Sequence, residues 1–131
     1  MIMSNQKKYS ILIIDDEKSN LTVLTDILHD EYNIHVVKDS REAVETAEDQ
    51  MPDIILLDII MPYLDGYEVL AGLKTSEKTK DIPVIFTTGL DCEKEKAKGL
   101  AHGIADYIAK PFHSSIVKVR VERQLEKLNA T

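Results

Sequence analysis

The sequence predicts an α/β domain, a parallel sheet with helices on both faces. Three observations carry this. Ile11 to Ile14 and Ile54 to Leu57 are short, wholly apolar runs, which suit strands buried on both sides. Segments with helical spacing separate such runs along the whole chain. Each run stops at a polar or charged residue, and in open α/β sheets the chemistry lies beyond the carboxyl ends of the strands.

The elements follow in order. Ile11 to Ile14 is the first strand and halts at Asp15-Asp16-Glu17. Ser19 or Asn20 is the expected cap of the first helix, whose apolar face is Leu21, Leu24 and Leu28 with Val23 and Ile27. Tyr32 to Val37 is the second strand. Asp39 or Ser40 caps the second helix, Glu42 stands in the capping-box position, and Ala43, Val44 and Ala47 point inward. Pro52-Asp53 turns the chain into Ile54 to Leu57, the third strand, which runs straight into Asp58. Asp65-Gly66 starts a third helix with Tyr67, Leu70 and Leu73 on one side. Ile82 to Thr87 is the fourth strand, with Pro83 at its beginning, where a missing donor is tolerated. Asp91 caps a fourth helix, Cys92 to Ala101, which offers only Ala97, Leu100 and Ala101 for packing before Gly103 ends it. Ala105 to Ala109 is a short fifth strand ending at Lys110-Pro111. The last segment mixes β-branched residues with a helical stripe of Val117, Val121, Leu125 and Leu128, and its length favours a helix.

Composition narrows the function classes. The 131 residues suffice for one core without metal or disulfide staples. A net charge of −7 with no basic block disfavours nucleic acid. The single cysteine, Cys92, forms no internal disulfide and fits a reducing cytoplasm. No run is long enough to span a membrane. Met1 to Lys8 reads as an N-terminal extension and Tyr9 to Asn129 as one domain.

Asp15, Asp16, Asp58, Thr88 and Lys110 end four different strands of this sheet. Three converging carboxylates repel one another unless a cation sits among them, and oxygen-only donors in an open site suit Mg²⁺. A carboxylate beside that ion is a nucleophile for phosphorus, with the lysine and the hydroxyl left to meet phosphoryl oxygens. Each residue alone has a plainer reading: Asp15-Asp16 as a helix cap, Asp58 as a strand-end cap, Thr88 as a turn hydroxyl, Lys110 as a solvated lysine. The functional reading rests on their joint occurrence. His29, His35, His102 and His113 lack metal spacing and read as surface or boundary residues.

These motifs resemble the receiver domain of two-component response regulators, a CheY-like superfamily. The matching stretches are Ile11 to Glu17, Leu56 to Pro62 with Asp65-Gly66, Pro83 to Gly89, and Ala105 to Phe112. Thirty residues separate Asp58 from Thr88 and 22 more lead to Lys110. The resemblance implies a flavodoxin-like fold with strand order 2-1-3-4-5. It implies that Asp58 accepts a phosphoryl group from a sensor histidine kinase or a phosphotransfer domain. It implies Mg²⁺, with Mn²⁺ as a substitute, held by Asp16 and Asp58, by Asp15 through water, and by the backbone carbonyl of Ile60. Lys110 would pair with phosphoryl oxygens after a cis Lys110-Pro111 bond, Thr88 would swing to the phosphoryl group, Tyr107 would rotate inward, and Gly89 would leave room for access. The readout would be the face made by the fourth helix, fifth strand and fifth helix, with Ile116 and Val119 as an apolar edge for an output domain or a second copy. No activity beyond self-phosphorylation and slow dephosphorylation is implied.

Departures sharpen the expectation. Ile60 and Leu90 are apolar where polar side chains assist the hydrolytic water, so the phosphoryl group should be long-lived. Only Asp106 remains of the acid pair that marks the dimer of OmpR-type transcription factors. No output domain is present, which fits a single-domain receiver or a piece of a longer regulator or hybrid kinase. The rivals are a pseudo-receiver that is never phosphorylated and a Mg²⁺-dependent phosphatase of the haloacid dehalogenase type. The latter places its two acids two residues apart after the first strand, whereas Asp15 and Asp16 are adjacent. A flavodoxin would need a Ser/Thr/Gly-rich loop after the first strand, which is absent here.

Overall fold

The computed structural model describes residues 8–89 and 92–129, with the Cys92 side chain excluded. The expectations for Leu90, Asp91 and the Cys92 thiol lie outside the described residues. The strands are β1 (Ser10–Ile14), β2 (Asn33–Val37), β3 (Ile54–Asp58), β4 (Val84–Thr88) and β5 (Asp106–Ala109). The helices are α1 (Lys18–Leu28), α2 (Ala43–Gln50), α3 (Gly66–Thr75), α4 (Cys92–Ala101) and α5 (Ser114–Asn129). All strand pairs are parallel and the sheet order is β2-β1-β3-β4-β5.

The apolar runs alternate between two cores, as the two-residue period of a strand requires. Leu12, Ile14, Ile55, Leu57, Val84 and Phe86 face α2 and α3 through Ala43, Ala47, Val69, Leu70 and Leu73. Ile11, Ile13, Ile54, Leu56, Ile85 and Ile108 face α1 and α5 through Leu21, Leu24, Leu28, Val117, Val121 and Leu125. Ile54 to Leu57 are completely buried, and each such side chain contributes about 1.5–3 kcal/mol. This double burial makes β3 rigid, and Asp58 is its last residue.

Several local expectations are corrected. α1 starts earlier than either proposed cap: Glu17 is the N-cap and its side chain makes no capping bond. The cause is upstream, because the Asp15 carboxylate accepts the Glu17 N–H at 2.9 Å and bends the chain into the helix. Val23 is 43% exposed and outside the α1 packing face. Asp39 caps a 3₁₀ turn, Ser40–Glu42, and its carboxylate takes the backbone N–H and guanidinium of Arg41, so no capping box with Glu42 forms. The box occurs instead at α3, between Asp65 and Glu68. On α4, Ala97, Leu100 and Ala101 are all exposed, and Gly99 is the buried position. The rest of α4 is too charged to be held by an apolar stripe. α5 is a helix; Val117, Val121 and Leu125 are buried, whereas Leu128 is exposed.

Candidate functional site

Parallel register brings the strand ends to one rim. Ile14 pairs with Leu57, Asp58 with Thr87, and Thr88 with Ala109. Asp15, Asp58 and Thr88 are buried there although polar. Ligand oxygens of Asp15, Asp16 and Asp58 all lie within 4.8 Å of one another. Lys110 Nζ donates to Asp58 Oδ1 at 3.0 Å and lies 3.7 Å from Asp15 Oδ2. The Lys110-Pro111 peptide is cis. The Ile59 N–H also donates to Asp58 Oδ1, at 3.0 Å.

The electrostatics follow from burying acids together. Asp15 is pushed up to about 6, chiefly by burial, with Asp58 adding to the rise and the Glu17 N–H and Lys110 opposing it. Asp58 is raised for the same first reason, held back by the Lys110 ammonium. Burial would lower Lys110, but the Asp58 and Asp15 carboxylates outweigh it and hold the ammonium above the ordinary lysine range. Asp15 Oδ2 is the buried oxygen without a hydrogen-bond partner among the described residues. An orphaned carboxylate oxygen amid two more carboxylates is costly for a bare protein and apt for a hard cation with oxygen ligands. The donor set therefore fits Mg²⁺.

A pocket of about 300 Å³ opens onto this cluster, lined by Glu17, Asp58, Ile60, Thr88, Gly89 and Lys110. Ile60 is 63% exposed at its mouth. A Cβ added at Gly89 would meet only Lys110 Cβ at 3.9 Å, an ordinary contact, so close packing does not demand glycine there. A larger groove between α1 and β2 contains none of the rim residues.

Every strand-end residue expected from the sequence reaches this rim. Tyr107 lies two residues before the end of β5, opposite Phe86, and lines a separate small pocket with Lys110; it is partly buried, with Arg120 at 5.0 Å and Lys96 at 5.4 Å from its ring centroid. Arg120 Nη1 also donates to Asp106 Oδ1 at 2.7 Å, so that acid is occupied within the chain. Two contributors escaped sequence reasoning. Ser40 is buried; its hydroxyl donates to the Pro62 carbonyl at 2.7 Å and accepts the Leu64 N–H at 3.0 Å, stitching the loop that follows Ile60. Gly66 packs so closely that a Cβ would lie 2.6 Å from the Asp58 carbonyl oxygen. The Asp65-Gly66 pair pointed to Gly66 as a turn residue, but nothing in the sequence connects Ser40 with a loop 22 residues on.

Comparisons with known proteins agree with this fold. Residues 11–122 match the family model of the response regulator receiver domain. The response regulator PleD of Caulobacter vibrioides is 37% identical over 85% of this chain and 25% of its own length. Histidine kinase P4 of Formosa agariphila is 31% identical over 95% of this chain and 9% of its own. The chain thus spans only a minor part of these curated relatives. Among solved structures, the receiver domain of a sensor histidine kinase from Pseudomonas aeruginosa PAO1 superposes with a TM-score of 0.83 at 30% identity, covering 92% of this chain and 99% of that one. That structure has a magnesium ion coordinated in its active site cleft. The chain belongs to the response regulator receiver domain family of two-component signalling.

Proposed function

We propose that Asp58 is the phosphoacceptor of this receiver and takes its phosphoryl group from the phosphohistidine of a histidine kinase or a phosphotransfer domain. The observation that carries the reading is the Asp58 carboxylate, buried at the end of β3, within 3.0 Å of Lys110 Nζ and open to the pocket that Thr88 lines. An Asp58 oxygen attacks phosphorus; a P–O bond forms, the P–N bond breaks, and the leaving imidazole takes its proton from solvent. Asp15, Asp16 and Asp58, with the Ile60 carbonyl, would hold Mg²⁺ or Mn²⁺. When bound, the ion neutralises charge on the phosphoryl oxygens.

Lys110, already placed beside Asp58, transfers its ammonium from the carboxylate to a phosphoryl oxygen. The Thr88 hydroxyl moves to another, and Tyr107 follows into the space behind it. The α4-β5-α5 face then changes shape for an output domain or a second copy. Ile116 and Val119 are both exposed on α5 and supply apolar contact. Apolar Ile60 at the pocket mouth orders no attacking water, which favours a long-lived phosphoryl group.

The test is direct. The protein is incubated with acetyl phosphate or phosphoramidate and Mg²⁺, and its intact mass is measured. A single phosphoryl adduct, absent in Asp58→Asn, is expected. No adduct with either donor, and none from a phosphorylated histidine-containing partner, overturns the reading and leaves a pure binding module.

A further inference from the structure

α4 is held in an uncommon way. Its one buried position, among the described residues, is Gly99. A Cβ there would lie 2.5 Å from Ile104 Cδ1 and 3.2 Å from Phe86 Cδ2, so the helix backbone itself rests on the core. The second attachment is Tyr67 of α3, and it is polar. Glu95, Lys98 and His102 recur at intervals of three and four residues, so Glu95 and Lys98 share one side of α4 and His102, the first residue past its end, continues that side. All three reach the same tyrosine. The Tyr67 hydroxyl donates to the Glu95 carboxylate. Lys98 Nζ stands 4.4 Å from the Tyr67 ring centroid, and the His102 ring meets it edge-on at 5.3 Å. Beneath, the ring packs edge-on against Phe86 with centroids 5.0 Å apart. Burial and the Glu95 carboxylate both push the Tyr67 hydroxyl above the ordinary tyrosine range, so it remains a donor at any physiological pH.

Glu95 lies in the first turn of α4, seven residues after Thr88. Phe86, under the Tyr67 ring, is two residues before it. Whatever fixes this turn acts on both sides of the switch hydroxyl.

We propose that Tyr67 is a positioning residue: through Glu95 it clasps α4 in the arrangement that precedes phosphorylation and opposes the movement of Thr88 toward a phosphorylated Asp58. This rests on the phosphoryl-switch reading above. A bond present in one of two arrangements biases their equilibrium by its own net worth. For a partly exposed hydroxyl on a carboxylate this corresponds to about a five- to ten-fold change in population. Removing the clasp should therefore favour the phosphorylated arrangement, although it weakens the resting one.

Tyr67→Phe keeps the ring and deletes only the hydroxyl. The probes are beryllium fluoride with Mg²⁺, as a mimic of the bound phosphoryl group, and amide hydrogen exchange along α4. Tyr67→Phe should bind the mimic about five-fold more tightly and exchange faster in α4 than elsewhere. Glu95→Ala should reproduce both effects, the double variant should add nothing further, and Glu95→Gln, which keeps an acceptor, should restore native behaviour. Lower stability with unchanged or weaker mimic binding would show a merely structural contact and overturn the proposal. If the native chain binds no mimic, the phosphoryl reading fails instead. The proposal then falls with it, whereas native mimic binding together with unchanged α4 exchange in Tyr67→Phe overturns the clasp alone.

Discussion

Replacing Asp15 by asparagine should stabilise the metal-free protein. Asp15 is completely buried, and its carboxyl is raised from 3.8 to about 6. A raised carboxyl binds its proton more tightly in the folded chain than in the unfolded one. Folding is therefore undisturbed below about pH 4, loses stability as the pH rises between 4 and 6, and carries the full penalty above that. Two pKa units correspond to about 3 kcal/mol. Asparagine cannot ionise and keeps an oxygen to accept the Glu17 N–H. It forfeits the Lys110 contact at 3.7 Å, which offsets part of the gain. The net expectation at pH 8 is about 1–3 kcal/mol, or roughly 3–10 °C for a domain of this size. Urea unfolding of both proteins in chelator, from pH 4 to 8, measures it. The variant's advantage should open as pH rises and close near pH 4. Millimolar Mg²⁺ should then raise the native midpoint and barely move the variant's. An Asp15→Asn protein less stable than native at pH 8 in chelator would refute the reasoning, as would an advantage independent of pH.

Other expectations concern the frame of the site. Gly66→Ala forces a Cβ to 2.6 Å from the Asp58 carbonyl and 2.7 Å from Ile59 Cα, both backbone atoms, and should cost about 2–3 kcal/mol in chemical unfolding; a near-neutral result would mean that the α3 start yields freely. Ser40→Ala leaves the Pro62 carbonyl and Leu64 N–H without their shared partner and should cost about 1–3 kcal/mol, with hydrogen exchange rising at Leu64; unchanged exchange there would count against the stitch. Ile60→Asn puts a polar group at the pocket mouth and should shorten the phosphoryl half-life of order ten-fold, read by the decay of the intact-mass adduct; an equal or longer half-life would remove Ile60 from the explanation.

Local expectations failed where the answer depended on a distant partner. Residue type points to Ser19 or Asn20 as the first-helix cap, but the Asp15 carboxylate turns the chain earlier, at Glu17. Ser40 looked like a cap because serine is a good one, yet its hydroxyl serves Pro62 and Leu64. α4 is legible as a helix and as a weak one, but its apolar residues point outward, and it rests on the core through Gly99 and meets Tyr67 through Glu95, with Lys98 and the following His102 exposed around the same ring. Where burial was continuous, as in β1 and β3, pattern and structure coincide.

The sequence by itself determined the sheet. Apolar runs of strand length had to be buried on both faces, and parallel connection put every run's final polar residue at one edge. That is why Asp15, Asp16, Asp58, Thr88 and Lys110 were legible together. Only the tertiary structure decided how these groups share their charge. It set Lys110 on Asp58 at 3.0 Å, left Asp15 Oδ2 without a hydrogen bond among the described residues, and laid α4 over Tyr67. Those outcomes are distances between side chains from separate elements, fixed to within an ångström by packing, and residue spacing along a chain does not encode them.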